Sequence, residues 1–476
     1  MDDDRFNEEC AVFGIYGSDE AAVHTALGLH ALQHRGQEAT GIVSLDGENF
    51  HSHKGLGHVG ENFDAASGHL AKLKGHAAIG HNRYSTTGQS ELRNIQPFVS
   101  ELAFGGFALA HNGNLTNAAK LRRSLVETGS LLQSTTDTEA IVHLVARSHQ
   151  QSVELRLIDA LKQVEGAYSL VCISTAGLVG VRDPHGVRPL VLGRIGNAHV
   201  LASESCALDI IGASFIRDIE PGEMVIINQD GISSRYPFAP LTSRFCVFEY
   251  VYFARPDSIV EGRSVYDARK KIGAELAREA AVNADMVVPV PDSGVPAALG
   301  YAEESGLPFD LGIIRNHYVG RTFIQPTDSG RQTSVKLKHN ANPATVAGKS
   351  VILVDDSIVR GTTSRKIVAM IRQAGASAVH MRIASPPTTH PCFYGVDTPE
   401  QDQLIAAQMD VAAIAKEIGV DSLAFISVDG LYRALGLEAG RDRAKPQFCD
   451  ACFTGEYPVP PYRQAGKSST EQSAAE

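Results

Sequence analysis

Two adjacent carboxylates, Asp355 and Asp356, are followed by Ser357, Arg360, Gly361, Thr362 and Thr363, a turn rich in hydroxyls and permissive backbone. A turn of that composition at a helix N-terminus can surround a phosphate with backbone N–H groups. The carboxylates beside it suit sugar hydroxyls or a phosphate-bound Mg²⁺. The chemistry implied is the binding of a phosphorylated sugar; the plain alternative is an acidic pair and polar turn that only cap a helix. Residues 351–354 (Val-Ile-Leu-Val), mostly β-branched, read as a central parallel strand covered on both faces. That strand carries the acidic pair at its carboxyl end, where open α/β sheets bind ligands. Behind the turn, Ile367, Met370, Ile371 and Ala374 recur at helical spacing. Upstream, residues 286–290 form a second apolar strand, closed by the small-residue turn Asp292, Ser293 and Gly294.

Cysteine offers a second kind of chemistry. Cys10 opens the apolar run AVFGIY directly after an acidic leader, where a thiol is ordinarily a core residue. Cys449 and Cys452 are spaced to serve one metal centre, with Cys246 and Cys392 as possible third and fourth ligands. From the residues alone, zinc, an iron–sulfur cluster and a pair of idle thiols all stay open. Cys172 and Cys206, set among apolar neighbours, are expected in the core.

A chain of 476 residues should hold two or three domains, each with its own core. A net charge of −11 argues against a general nucleic-acid or anionic-membrane surface, so any anion must be held locally. The acidic N-terminus has no apolar core for a secretory signal. No run of about 18 uncharged apolar residues follows it, and the alanine-rich stretch 404–415 is broken by Asp410, so a cytoplasmic chain is expected. Up to about residue 240, short apolar or alternating runs such as AVFGIY and FALA (107–110) suggest a strand-rich α+β domain, with turn signals at Pro221-Gly222 and between Pro237 and Pro240. From about 265 the pattern becomes helix (269–281), strand (286), strand (351) and strand (378–384), the alternation of a doubly wound parallel sheet. Residues 315–342 are polar, basic and aperiodic, which fits a lid over phosphates carrying Arg315, Arg321, Arg331, Lys336 and Lys338, or else a solvated loop. Residues 463–476 lack an apolar anchor and are expected to be disordered.

The string VILVDDSIVRGTT (351–363) resembles the phosphoribosyl-pyrophosphate motif of the type I phosphoribosyltransferases, and MVVPVPDSG (286–294) resembles the pyrophosphate loop of that fold. In the first half, HALQHRGQ (30–37), HNRYSTTG (81–88), AHNGNL (110–115) and TTDTE (135–139) follow Cys10 in that order and together resemble the N-terminal-nucleophile glutamine amidotransferases. The resemblance implies an αββα sandwich over 10–240, then an α/β phosphoribosyltransferase domain with a parallel sheet over 241–462. Residues 1–9 would be a propeptide cleaved between Glu9 and Cys10, leaving an α-amino group beside the thiol as its base. It assigns the oxyanion to the Asn112 side chain and the Gly113 N–H, the glutamine α-carboxylate to Arg83 and its α-ammonium to Asp137, with His81 and His111 packing or orienting loops. In the second half it assigns phosphoribosyl pyrophosphate to Asp292, Ser293, Gly294, Asp355, Asp356, Ser357, Arg360, Gly361, Thr362 and Thr363. Mg²⁺ would rest on Ser293, Asp355 and Asp356, with Arg321 and Lys336 on the lid.

The two halves on one chain resemble the glutamine-dependent phosphoribosylpyrophosphate amidotransferases of purine synthesis. The acidic leader and the four cysteines match the branch of that family whose Cys246, Cys392, Cys449 and Cys452 equivalents hold a [4Fe–4S] cluster. Ammonia made at Cys10 would reach the sugar through an enclosed path and displace pyrophosphate to give 5-phospho-β-D-ribosylamine. A homotetramer inhibited by purine nucleotides is implied as well. The rivals are another glutaminase-coupled synthase, opposed by the 351–363 motif, and a regulator of phosphoribosyltransferase fold, which would not need Cys10, Arg83, Asn112 and Asp137 together.

Overall fold

The computed structural model describes residues 10–84, 91–316 and 339–461. The expected propeptide, the lid residues Arg321, Arg331, Lys336 and Lys338, and the expected disordered tail lie outside the described residues.

The first half is built from two antiparallel sheets. One runs, edge to edge, through Ser214–Asp218, Val191–Ile195, Ala198–Ala202, Ala11–Tyr16, Ala77–Arg83, Ala39–Asp46 and Asn49–Leu56. The other runs through Gly231–Arg235, Met224–Asn228, Gly177–Arg182, Gly166–Ser174, Gly105–Leu115 and Phe98–Leu102. Alternate residues of each strand face opposite sides, and the burial follows. Val12, Val43 and Ile79 of the first sheet meet Ala108, Val171 and Val225 of the second in a core between the sheets. Phe13, Ile42 and Ala78 point the other way, onto the helices Ala21–Ala31 and Cys206–Ile210. Leu109, Leu170 and Ile226 cover the outer face of the second sheet together with the helices Thr138–Arg147 and Val153–Leu161. Helix, sheet, sheet, helix is the expected sandwich. Cys172 and Cys206 are core residues, as expected, and burial pushes both thiols up.

In the second half the strands Met286–Pro289, Ser350–Asp355, Ala378–Ile383 and Ser422–Phe425 form one parallel sheet in that order. Val351 and Leu353 pack toward the helices Thr362–Gln373 and Val411–Ile418, whereas Ile352 and Val354 pack toward Val265–Glu279 and Val295–Ser305. Both faces are covered, which is why the strand reads as an unbroken apolar run.

Two boundaries differ from the sequence reading. The helix expected over 269–281 spans Val265–Glu279, because the Ser264 hydroxyl accepts the Asp267 N–H (3.2 Å) and starts it a turn earlier. It stops where the Ala280 carbonyl accepts Arg382 Nε (2.7 Å) and the Tyr301 hydroxyl (3.0 Å). The segment expected to be without structure from 315 to 342 begins and ends in an antiparallel ribbon, Ile313–Arg315 against His339–Ala341. Three residues a side are too few for a period-2 pattern to show.

The halves are joined by a buried ion network. Arg35 donates to Glu204 Oε1 (2.5 Å) in its own half and to Glu249 Oε1 (2.7 Å) in the other, and Arg188 Nη1 reaches the same Glu249 oxygen at 3.3 Å. All four side chains are almost wholly excluded from solvent. Burial opposes the charge on Glu249, but the Arg35 and Arg188 guanidinium groups hold its carboxyl below the usual range.

Candidate active sites

Cys10 stands just before the strand Ala11–Tyr16, whose partner strand pairs Ala11 with Asn82. The thiol is thereby set beside the end of that partner, and Cys10 Sγ donates to the Tyr84 carbonyl at 3.5 Å. Arg83 is buried, and its Nη1 donates to the Asn94 carbonyl (3.1 Å). The Asn94 side chain in turn exchanges hydrogen bonds with Thr135, through Nδ2 to Thr135 Oγ1 (2.9 Å) and from the Thr135 N–H (3.0 Å). Asn94 therefore ties Arg83 to the loop that carries Asp137. The Asp137 carboxylate accepts the Leu115 N–H (2.9 Å) and the Thr138 hydroxyl (3.2 Å), which fixes it against the end of the strand Gly105–Leu115.

Asn112 lies on that strand, in the second sheet, 1% exposed. Its Nδ2 makes one long bond to Ser203 Oγ (3.4 Å), which leaves the second amide proton for another acceptor. Gly113 has φ +145°, and a side chain there would meet the Ala167 carbonyl at 2.0 Å, so only glycine permits this bend. His81 Nε2 sits 3.1 Å from the His111 carbonyl and bridges the two sheets, while His111 Nδ1 meets Thr138 Oγ1 at 3.1 Å. Burial first, and then the Arg83 charge, push His81 down to about 3; burial also lowers His111, against the pull of Asp137. Both imidazoles are neutral at pH 7. His81 thereby ties one sheet to the other through a buried hydrogen bond.

In the second half, Asp355 ends the central strand and Asp356 follows it, both buried. Asp355 Oδ1 accepts the Asp356 N–H (3.0 Å), and Asp356 Oδ2 accepts the Ser357 hydroxyl (2.8 Å). The helix Thr362–Gln373 starts at Gly361, whose φ of +78° lets the turn close against Ile405. Arg360 Nη2 is turned aside to Gln403 Oε1 (3.0 Å). In the loop after the neighbouring strand Met286–Pro289, the Ser293 hydroxyl is buried with no hydrogen-bond partner among the described residues. Gly294 N-caps the helix Val295–Ser305. Asp292 is ion-paired with Arg315, and His339 Nε2 lies 3.1 Å from the Pro291 carbonyl, so both strands of the 313–341 ribbon rest on this loop.

The four remaining cysteines converge at the junction of the halves. Phe245–Cys246 pairs in parallel with Phe448–Cys449, Cys246 opposite Cys449. Cys392 Sγ accepts the Tyr394 N–H at 3.3 Å. All four thiols line one cavity whose other walls include Phe248, Phe253, Tyr394 and Tyr457. Burial, and next the Cys392 thiol, push Cys449 up to about 12, and Cys452 is raised by burial and then by Cys246, Cys449 and Cys392. Among the described residues, no group of three or more His, Cys, Asp or Glu is placed to hold a metal ion as the side chains stand.

Residues 81–209 match the glutamine amidotransferase domain family, and residues 257–386 match the phosphoribosyl transferase domain family. The amidophosphoribosyltransferase of Rhizobium etli is 58% identical over 465 residues, 96% of this chain and 93% of that protein. The Bacillus subtilis amidophosphoribosyltransferase is 48% identical over 458 residues, 96% of this chain and 95% of that one. The chain belongs to the amidophosphoribosyltransferases. The solved structure of B. subtilis glutamine phosphoribosylpyrophosphate amidotransferase, complexed with ADP and GMP, matches it with a TM-score of 0.90 at 48% identity, covering 96% of this chain and 98% of that one.

As an amidophosphoribosyltransferase, the chain is a glutamine-dependent glycosyltransferase of purine biosynthesis, and neither rival reading survives. Several residues that hold the candidate site residues carry no sequence signal. Ser203 holds Asn112, Gln96 Oε1 accepts the His111 N–H (2.8 Å), and Asn94 links Arg83 to Thr135. Each is a common polar type standing outside any motif.

Proposed function

We propose that Cys10 and the Asp355–Asp356 turn divide the amidophosphoribosyltransferase reaction between them. The observation that carries this reading is the convergence of Cys10 on the Arg83–Tyr84 strand end, in a chain whose other half sets two buried carboxylates at the end of a central parallel strand. With residues 1–9 removed, the Cys10 α-amino group takes the thiol proton, a task that neutral His81 and His111 are poorly suited to. Arg83 holds the glutamine α-carboxylate and Asp137 its α-ammonium. The thiolate adds to the side-chain amide, and Asn112 Nδ2 with the Gly113 N–H receives the negative oxygen. The C–N bond breaks as the nitrogen takes a proton; ammonia leaves, and water then hydrolyses the γ-glutamyl thioester to glutamate.

Ammonia passes to the second half within the closed protein and attacks the anomeric carbon of phosphoribosyl pyrophosphate. The C–O bond to pyrophosphate breaks, the bonded nitrogen gives up a proton to solvent, and 5-phospho-β-D-ribosylamine forms with inversion. Asp355 and Asp356 offset positive charge on the ribose ring, while Ser357, Gly361, Thr362 and Thr363 cradle the 5-phosphate at the helix N-terminus. Asp292, Ser293 and Gly294 bind the pyrophosphate; Arg360, with Arg321 and Lys336 of the lid, adds cationic groups. The orphaned Ser293 hydroxyl and the acidic pair are hard oxygen donors that fit Mg²⁺, which when bound would offset charge on the departing pyrophosphate. The domains proposed are 10–240 and 241–462, after a propeptide over 1–9.

Purine nucleotides as inhibitors, a homotetramer and a cytoplasmic location complete the reading. The ADP and GMP in the B. subtilis complex support the first. No helix among the described residues is long and apolar enough to cross a membrane. With amide-¹⁵N glutamine and phosphoribosyl pyrophosphate, glutamate and pyrophosphate should appear in equal amounts, the label retained in the sugar product. Glutamate released without pyrophosphate would overturn the assignment.

Cys246, Cys392, Cys449 and Cys452 would hold a [4Fe–4S] cluster that cross-links the C-terminal segment to the domain junction. Thiols spread around an aromatic-walled cavity, with an N–H aimed at the Cys392 sulfur, fit a multi-iron group better than one ion. Protein purified without air is expected to contain about four iron and four sulfide per chain. Air oxidation should then bring unfolding together with loss of activity, because metal binding and folding are coupled at such sites. Colourless, stable and active protein with zinc or no metal would count against the cluster.

A further inference from the structure

The strand that presents Asn112 and Gly113 to the glutamine site has its back against the other half of the chain. Asn114 Nδ2 donates to the Phe393 carbonyl at 3.0 Å, across 279 residues of sequence. Gly395, at φ +109°, comes so close to Gly113 that a methyl group on it would stand 3.0 Å from the Gly113 carbonyl carbon and 3.1 Å from its Cα. Between these two contacts, Arg188 Nε donates to the Tyr394 carbonyl at 2.9 Å, and the same guanidinium reaches Glu249. Residues 393–395 are thus gripped at each successive residue, two of the three grips being on the strand that carries the oxyanion donors.

We infer that Asn114 and Gly395 are positioning residues for glutamine hydrolysis: they press residues 393–395 of the phosphoribosyltransferase half against the Gly113–Asn114 peptide, directly after the oxyanion donors, and set where the Asn112 side chain and the Gly113 N–H point. The inference rests on the oxyanion role proposed for Asn112 and Gly113. An oxyanion donor acts only if it stands within hydrogen-bond distance of the oxygen in the tetrahedral intermediate, and losing one commonly costs about 10²–10³ in kcat. A side chain on Gly113 would meet the Ala167 carbonyl of the neighbouring strand at 2.0 Å, so this stretch of backbone is closely packed on that strand as well. Neither Asn114 nor Gly395 touches the acidic pair or the Ser293 loop in any contact described above. The effect should therefore fall on glutamine turnover and spare synthesis from ammonia.

The test uses the full-length enzyme with Asn114→Ala, Gly395→Ala and, as a reference, Asn112→Ala. Asn114→Ala removes the tether without adding bulk, so it remains informative if Gly395→Ala, which forces a side chain into a left-handed conformation and a backbone contact, fails to fold. Glutaminase kcat should fall about tenfold or more in Asn114→Ala. Its KM for glutamine should stay within about twofold, because Arg83 and Asp137 are untouched. Ammonia-dependent synthesis and the rate of Cys10 alkylation by iodoacetamide should match the unaltered enzyme. An unchanged glutaminase kcat in Asn114→Ala, or an equal fall in glutamine- and ammonia-dependent synthesis, would overturn the inference while leaving the oxyanion assignment standing. A fully active Asn112→Ala would instead remove the oxyanion assignment, and the inference with it.

Discussion

Cys10→Ala is expected to abolish glutamine-dependent synthesis, by on the order of 10⁴-fold or more, and to leave synthesis from concentrated ammonium at alkaline pH intact. The asymmetry follows from the placement of the thiol. Cys10 sits at the end of a strand pair in the first half, bonded to the Tyr84 carbonyl, whereas the residues proposed to bind the sugar all lie in the second half. No other thiol of the sandwich can substitute, since Cys172 and Cys206 are buried in separate cores and burial holds both in the neutral form. Truncation to alanine removes one sulfur from a nearly buried position and adds no bulk, so the fold should survive. Intact-mass measurement of the unaltered enzyme should show that residues 1–9 are gone, leaving the Cys10 amine uncovered. Full glutamine activity in the alanine variant would end the nucleophile assignment.

What the sequence revealed and what it hid are separated by range along the chain. The strand Ser350–Asp355 was legible because burial on both faces makes every residue apolar until the first carboxylate. The motifs of the glutamine amidotransferase domain were legible because each is a short run of neighbouring residues. The ribbon Ile313–Arg315 with His339–Ala341 was not, since three residues a side give no period and the intervening chain is long. Contacts between distant residues left the least trace. Arg35 and Glu249 stand 214 residues apart, and arginine and glutamate are usually surface residues, yet here they form a buried joint. Gly395 looks like any loop glycine until its approach to Gly113 is seen. The sequence thus carries the groups to which chemistry is assigned, whereas the groups proposed to aim them emerge only from packing.

Replacing both Asp355 and Asp356 by asparagine should eliminate phosphoribosylamine formation from glutamine and from ammonia alike, by about 10³-fold or more, because the two nitrogen sources share one sugar site. Asparagine matches aspartate in size, and its carbonyl oxygen can still accept the residue-356 N–H and the Ser357 hydroxyl that the carboxylates accept now. What is lost is negative charge. It is missed where positive charge develops on the ribose and where Mg²⁺ is proposed to rest, beside the orphaned Ser293 hydroxyl. The Arg269 guanidinium, which burial lowers to about 10 while Asp356 acts to raise it, would keep its hydrogen bonds to the Tyr250 (2.9 Å) and Ala254 (2.7 Å) carbonyls. The helix Val265–Glu279 should therefore stay in place, and thermal unfolding should shift little. Glutaminase activity is expected to persist, though lowered if sugar-phosphate binding orders the glutamine site. That pattern is the reverse of Cys10→Ala, so the pair of variants separates the making of ammonia from its use. Normal consumption of phosphoribosyl pyrophosphate by the double variant would show that the acidic pair serves only to shape the turn.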